Sequence, residues 1–117
     1  MLGKIVDVII DRPLGSTHPE HKDILYTVNY GYIPKTISPV DGEEIDAYVV
    51  DVDIPINKYK GRVIGVIHRE NEEDKLIVAN CFLSEEEIRN KVWFMEQYFK
   101  SWIEVLGENH ESNKKTK

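Results

Sequence analysis

The apolar residues of this chain change their period once, at Ser84, and that switch restricts the fold more than any other feature. Before it, apolar stretches are short, β-branched and separated by turn residues, which is the pattern of strands. After it, Ile88, Val92, Met95, Phe99, Trp102 and Leu106 recur at steps of three and four, the pattern of one helix face. Strands are predicted over 4–11, 24–28, 46–52, 61–69 and 75–79. Pro13 and Gly15 end the first, and residues 31–34 read as a turn closed by Pro34. The third is nearly unbroken in its apolar character and reads as central. Val63, Val66 and Ile67 are the expected core of the fourth, and Glu70-Asn71-Glu72-Glu73 is an acidic hairpin turn. Ser84 followed by Glu87 is a capping box, and Gly107 marks the helix stop. Five strands and one long amphipathic helix predict a mainly β domain, a small five-stranded OB-like barrel with a C-terminal helix packed on it. The domain is expected over 1–107, with a polar tail over 108–117.

Cysteine and charge narrow the function. Cys81 is the one cysteine in 117 residues, so no intrachain disulfide is available; it reads as a small buried hydrophobe, and a reducing cytoplasm is the expected location. The first residues lack the apolar core of a signal peptide, and no apolar run approaches the ~18 residues of a membrane span. The formal net charge of −6, from 21 acids against 15 lysines and arginines, argues against nucleic acid as a partner. A small phosphorylated ligand is still compatible if cations sit between it and the acids. Trp93, Phe94, Phe99 and Trp102 make the helix apolar on more than one side, leaving room for a homo-oligomeric contact.

Asp41, Glu43 and Asp46 fall within six residues and lead directly into the apolar run Ala47-Tyr48-Val49-Val50. Gly42 lets the backbone turn tightly between the first two. Acids gathered against the start of a buried strand repel one another and lose water together, and a divalent cation removes that cost. A solvated turn is the competing reading. The spacing and the following strand exclude a calcium loop of the EF-hand type.

Tyr26-Thr27-Val28-Asn29-Tyr30-Gly31-Tyr32-Ile33-Pro34 followed by Asp41-Gly42-Glu43-Glu44-Ile45-Asp46 resembles the central segment of the soluble family I inorganic pyrophosphatases, where an aromatic turn precedes a D-G-D-P-x-D motif. The strand from Gly61 to Val66, the acidic hairpin before Lys75-Leu76, and Tyr98 with Lys100 extend the likeness over most of the chain. The resemblance implies an OB-like barrel and Mg²⁺-dependent hydrolysis of pyrophosphate, with Mn²⁺ as a substitute. It implies that Asp41 and Asp46 hold metal, that Glu43 stands where the family has the aspartate acting on the attacking water, and that Tyr30, Lys75 and Tyr98 bind phosphate. Asp11 is similar to the family's acid at the end of its first strand. Glu70 and Glu73 are assigned as further metal ligands.

The departures from the family are specific. Glu43 replaces aspartate, the acidic hairpin is shorter, and Phe99 stands where a lysine follows the helical tyrosine, with Lys100 one step on. The family's N-terminal Lys-x-Glu hairpin and the arginine after it have no counterpart; Ser16-Thr17-His18-Pro19-Glu20-His21 takes their place. Arg12, His18 and Arg69 are therefore expected to supply the lost phosphate contacts, against a reading in which Arg69 only pairs with a glutamate. His18-x-x-His21 with His68 and Cys81 makes a poor zinc set without paired cysteines. Beside pyrophosphate hydrolysis, two readings stand: a metal-dependent hydrolase of a nucleotide or other small phosphorylated compound, and a weakly catalytic ligand-binding or interaction barrel.

Overall fold

A computed structural model describes residues 1–107, so the predicted tail over 108–117 lies outside the described residues. The elements run β1 (Ile5–Arg12), β2 (Asn29–Ile33), β3 (Ile45–Val49), β4 (Lys58–Arg69), β5 (Lys75–Ala79), α1 (Glu85–Glu96) and β6 (Ser101–Val105). Strands pair in the order β1-β2-β3-β5-β4, and β4 pairs back with β1, so five strands close into a barrel. The β3–β5 pair is parallel, and the other pairings are antiparallel. β6 adds to β4 outside this ring, with Ile67 opposite Ile103.

Alternation along the strands builds two cores. Val6, Val8, Ile33, Ala47, Val49, Val63, Val66, Leu76 and Val78 come from all five barrel strands and fill its interior. The residues between them, Tyr30, Tyr48 and Ile77 among others, point outward and pack under Ile88, Val92 and Met95 of α1. Of the glycines, Gly31 is the most tightly enclosed. A Cβ there would lie 1.8 Å from the Ile9 carbonyl oxygen, so only glycine lets β2 cross β1 at this point.

Four expectations are corrected. The second strand is Asn29–Ile33, not 24–28. Residues 13–28 instead form an ordered loop with one bridge, Thr17 to Leu25, tied by Gly15 and Tyr26 backbone bonds. Asn29 explains the shift: buried in β2, it accepts from the Leu14 and Ile56 amides and donates to the Ile54 carbonyl, pinning two loops to the strand. The helix ends at Glu96 with Gln97 as its cap, and 101–105 is strand. Trp102, expected in the core, is 58% exposed and stacks on His68. Cys81 is exposed rather than buried.

Ser84 caps α1 as expected: its side chain accepts from the Glu87 amide, and the Glu87 carboxylate accepts from the Ser84 amide. Ser84→Ala is expected to lower stability by about 1 kcal/mol. Urea denaturation should show that loss as a lower midpoint at unchanged slope.

Candidate active site

The parallel pairing of β3 with β5 brings Asp46 and Lys75 together. Lys75 is buried at the start of β5, and its Nζ donates to Asp46 Oδ2 at 2.6 Å and to Glu73 Oε1 at 2.8 Å. Burial opposes the ammonium charge, yet Tyr30, Asp46 and Glu73 outweigh it and hold the Lys75 pKa above its ordinary value. Its hydrogen bond to Lys75 in turn lowers the pKa of Glu73, with smaller help from Asp41. Burial raises the pKa of Tyr30, whose ring centroid lies 5.9 Å from Lys75 Nζ, so its hydroxyl stays protonated at neutral pH.

The remaining acids surround this centre from loops and strand ends. Asp41 and Glu43 sit on an exposed turn where Gly42 takes φ +74°, and Asp41 Oδ1 accepts from the Glu43 amide at 3.0 Å. Asp11, at the far end of β1, is shifted upward, mainly by burial, with Arg12 opposing and the Asp46 charge adding to the rise. Glu70 is exposed beyond the end of β4, and its backbone amide donates to the Lys100 carbonyl.

Arg12 is the cation best placed on the β1 side. Its Nη1 donates to the Tyr26 hydroxyl at 2.5 Å, and its guanidinium carbon lies 5.7 and 5.4 Å from the Tyr26 and Tyr30 ring centroids. Among the described residues no carboxylate is at ion-pair distance from it. Sequence reading missed the part Tyr26 plays, although it opens the aromatic motif. The hydroxyl contact crosses fourteen positions and has no local spacing signal.

Arg69 is committed elsewhere. Its side chain is 6% exposed, donates from Nε and Nη2 to Glu96 at 3.2 and 2.5 Å, and lies 3.7 Å over the Phe99 ring. Tyr48 donates to the same glutamate at 2.7 Å. These contacts tie α1 to the barrel, and the expected phosphate contact of Arg69 gives way to the glutamate pairing. His68 stands outside the acid centre, with its ring nitrogens 3.2 Å from Asp74 and 3.1 Å from Glu104. Tyr98 and Lys100, expected at the phosphate, are both exposed; Tyr98 lines a cleft with His18 and His21. The rings of His18 and His21 are 5.0 Å apart, without Cys81 or His68 in their cleft.

Among the described residues, no three His, Cys, Asp or Glu side chains gather into a ready-made metal cage. The reason is visible: the Lys75 ammonium occupies the space between Asp46 and Glu73, while Asp41 and Glu43 ride an exposed turn. The donor set is nonetheless hard oxygen throughout. It suits Mg²⁺, which takes one or two carboxylates and completes its shell with water and substrate phosphate oxygens.

The family model for inorganic pyrophosphatase matches residues 11–113. Solved inorganic pyrophosphatases share the fold. That of Ehrlichia chaffeensis superposes with a TM-score of 0.69 at 18% identity, covering 91% of this chain and 88% of that one. That of Helicobacter pylori gives 0.58 at 22%, covering 89% and 83%, and that of Neisseria gonorrhoeae 0.58 at 22%, covering 90% and 82%. Among curated proteins no relative matches. A family match from the end of β1 to beyond β6, on a barrel that gathers Asp46, Glu73 and Lys75 at one point, has one meaning: the chain belongs to the inorganic pyrophosphatase family of hydrolases.

Proposed function

We propose that this chain hydrolyses inorganic pyrophosphate to two phosphates with a divalent cation, Mg²⁺ or in its place Mn²⁺, held by Asp41, Asp46 and Glu73. The observation that carries the reading is the Asp46–Lys75–Glu73 bridge, an oxygen-rich centre with one fixed cation, in a chain of this family. When bound, the metal supplies positive charge to phosphate oxygens and makes water more acidic.

The protein's own groups divide the remaining work. Glu43, exposed and with its amide fixed by Asp41, accepts the proton of the attacking water. Lys75 keeps its charge through neutral pH and offsets the carboxylates that a phosphate anion would otherwise face. Tyr30 stays protonated and donates to a phosphate oxygen. Arg12, with no carboxylate at ion-pair distance among the described residues, clamps the outer phosphate with a charge-assisted fork. Asp11 borders this clamp and shares its field. No helix among the described residues is long and apolar enough to cross a membrane.

The test is phosphate release from pyrophosphate with Mg²⁺, with Mn²⁺ and with EDTA. Turnover that requires metal supports the reading; no turnover with either metal sinks it. In Arg12→Gln the KM for pyrophosphate is expected to rise about tenfold with kcat changed much less, the loss of one charged hydrogen bond. An unchanged KM would remove Arg12 from the clamp.

A further inference from the structure

The cleft beside the Arg12–Tyr26 pair has a volume of about 420 Å³ and a character unlike the acid centre. Its apolar floor is Ile24, Met95, Phe99 and the ring of Tyr98, which is 59% exposed and offers a free aromatic face. His18 and His21 form one wall. The Glu20 amide donates to His18 Nδ1 at 3.0 Å, so the neutral ring carries its proton on Nε2 and serves as a donor. Burial, with the charges of Arg12 and His21 adding to it, lowers the His18 pKa and favours that neutral form. Glu20 and Asp23 also line the cleft, and their negative charge excludes a phosphate from it. What fits is a planar, uncharged group that stacks on tyrosine and exchanges hydrogen bonds with imidazole and carboxylate.

The cleft is joined to the phosphate side through one side chain. His18 stacks on Tyr26 at 6.5 Å between centroids and 14° between planes, and the Tyr26 hydroxyl holds Arg12 at 2.5 Å. His18 on the cleft wall is thus one ring removed from the guanidinium, whose carbon lies 5.7 Å from the Tyr26 centroid, a gap that an extended nucleoside diphosphate can bridge. We infer that this cleft takes the base of a nucleoside 5′-diphosphate whose phosphates lie at Arg12 and the Asp46–Lys75–Glu73 centre, and that the chain hydrolyses such nucleotides as pyrophosphate with one organic end. The inference rests on the hydrolase reading for its chemistry. Water adds to the β-phosphorus, and the bond from that phosphorus to the bridging oxygen breaks. The bridging oxygen leaves with the nucleoside monophosphate, and the water's proton passes to Glu43 and on to solvent.

ADP is the first probe, with α,β-methylene-ADP as a probe that binds without being cleaved. Magnesium-dependent conversion of ADP to AMP and phosphate is expected. The ring signals of His18, His21 and Tyr98 should shift together in NMR titrations with either compound. Tyr98→Ala, which removes an exposed ring, should lower the ratio of kcat/KM for ADP over pyrophosphate about tenfold, as loss of one base–aromatic stack does. Pyrophosphate turnover without ADP turnover or binding would overturn the inference and leave the pyrophosphatase reading intact. If neither substrate turns over, the hydrolase reading fails and the α,β-methylene-ADP titration decides the cleft alone: shifts at the three rings support it, and silence overturns it. An unchanged ratio in Tyr98→Ala also overturns it.

Discussion

Glu96→Ala is expected to destabilise the protein by roughly 3–5 kcal/mol, because it leaves the Arg69 guanidinium buried without its counter-charge. Both side chains are almost fully enclosed, at 6% and 3% exposure, and the glutamate also accepts from Tyr48. Glu72, 3.7 Å from Arg69 and half exposed, is too far out to replace it. On a domain of this size the loss corresponds to a fall in Tm of roughly 10–30 °C. The double replacement Arg69→Met with Glu96→Leu should recover most of it, since an apolar pair removes both buried charges at once. Thermal unfolding followed by circular dichroism reads both variants. A shift of under about 3 °C in Glu96→Ala would mean that Arg69 reaches solvent, and would return it to the candidates for phosphate binding.

The largest effect on activity is expected from Asp46→Asn. The substitution removes a negative oxygen from the proposed metal set and keeps the shape of the side chain. Lys75 retains Glu73 at 2.8 Å, and the asparagine carbonyl can still accept from it, so the fold should survive with Tm moved by only a few degrees. A metal's charge on transferring phosphate is worth several kcal/mol, so kcat/KM should fall about 10²–10³-fold. The Mg²⁺ concentration for half-maximal rate should rise in parallel. Full turnover with an unaltered metal requirement would show that the centre lies elsewhere on the barrel.

How much of this was legible in the chain depends on the range of each interaction. β5 was read to the residue, because 76–79 is a continuous apolar run that follows Lys75 and the acidic turn. The Ser84 cap was equally plain, its partner being three residues away. The end of α1 was not. Phe99, Trp102 and Leu106 continue the helical spacing, yet after Gln97 the chain enters β6, where Ile103 faces Ile67 across the ladder. A period of three or four carried on past the helix by coincidence. Residues 31–33 read as part of a turn and form a strand because Gly31 admits a contact between β1 and β2 that no local rule foresees. In the site, Asp46 and Lys75 were named separately, but their bridge spans 29 positions and a parallel pairing. Arg69 found its partner 27 residues away on the helix. Acidic spacing pointed to a metal set, while the intervention of Lys75 between two of those acids required the fold.

The twelve residues of β4 form ladders with β1, β5 and β6. Arg62 pairs with both β1 and β5, and Gly65, Val66 and Ile67 pair with both β5 and β6, so the middle of that strand cannot open without breaking two sheet pairings and its amides should be among the last to exchange with solvent. The turn that carries Asp41 and Glu43 is different. Its backbone bonds are Ser38 to Glu43 and Gly42 to Ser38, and the side chains of Asp41, Ser38 and Thr36 accept from the Glu43, Val40 and Ile45 amides. It can therefore open and close while the barrel stays whole. A cation held as proposed, by Asp46 on the barrel and Asp41 on the turn, would bind only the closed population. Its apparent affinity is then scaled by the fraction of time the turn is shut, and any change that stiffens residues 35–44 tightens metal binding without touching a ligand.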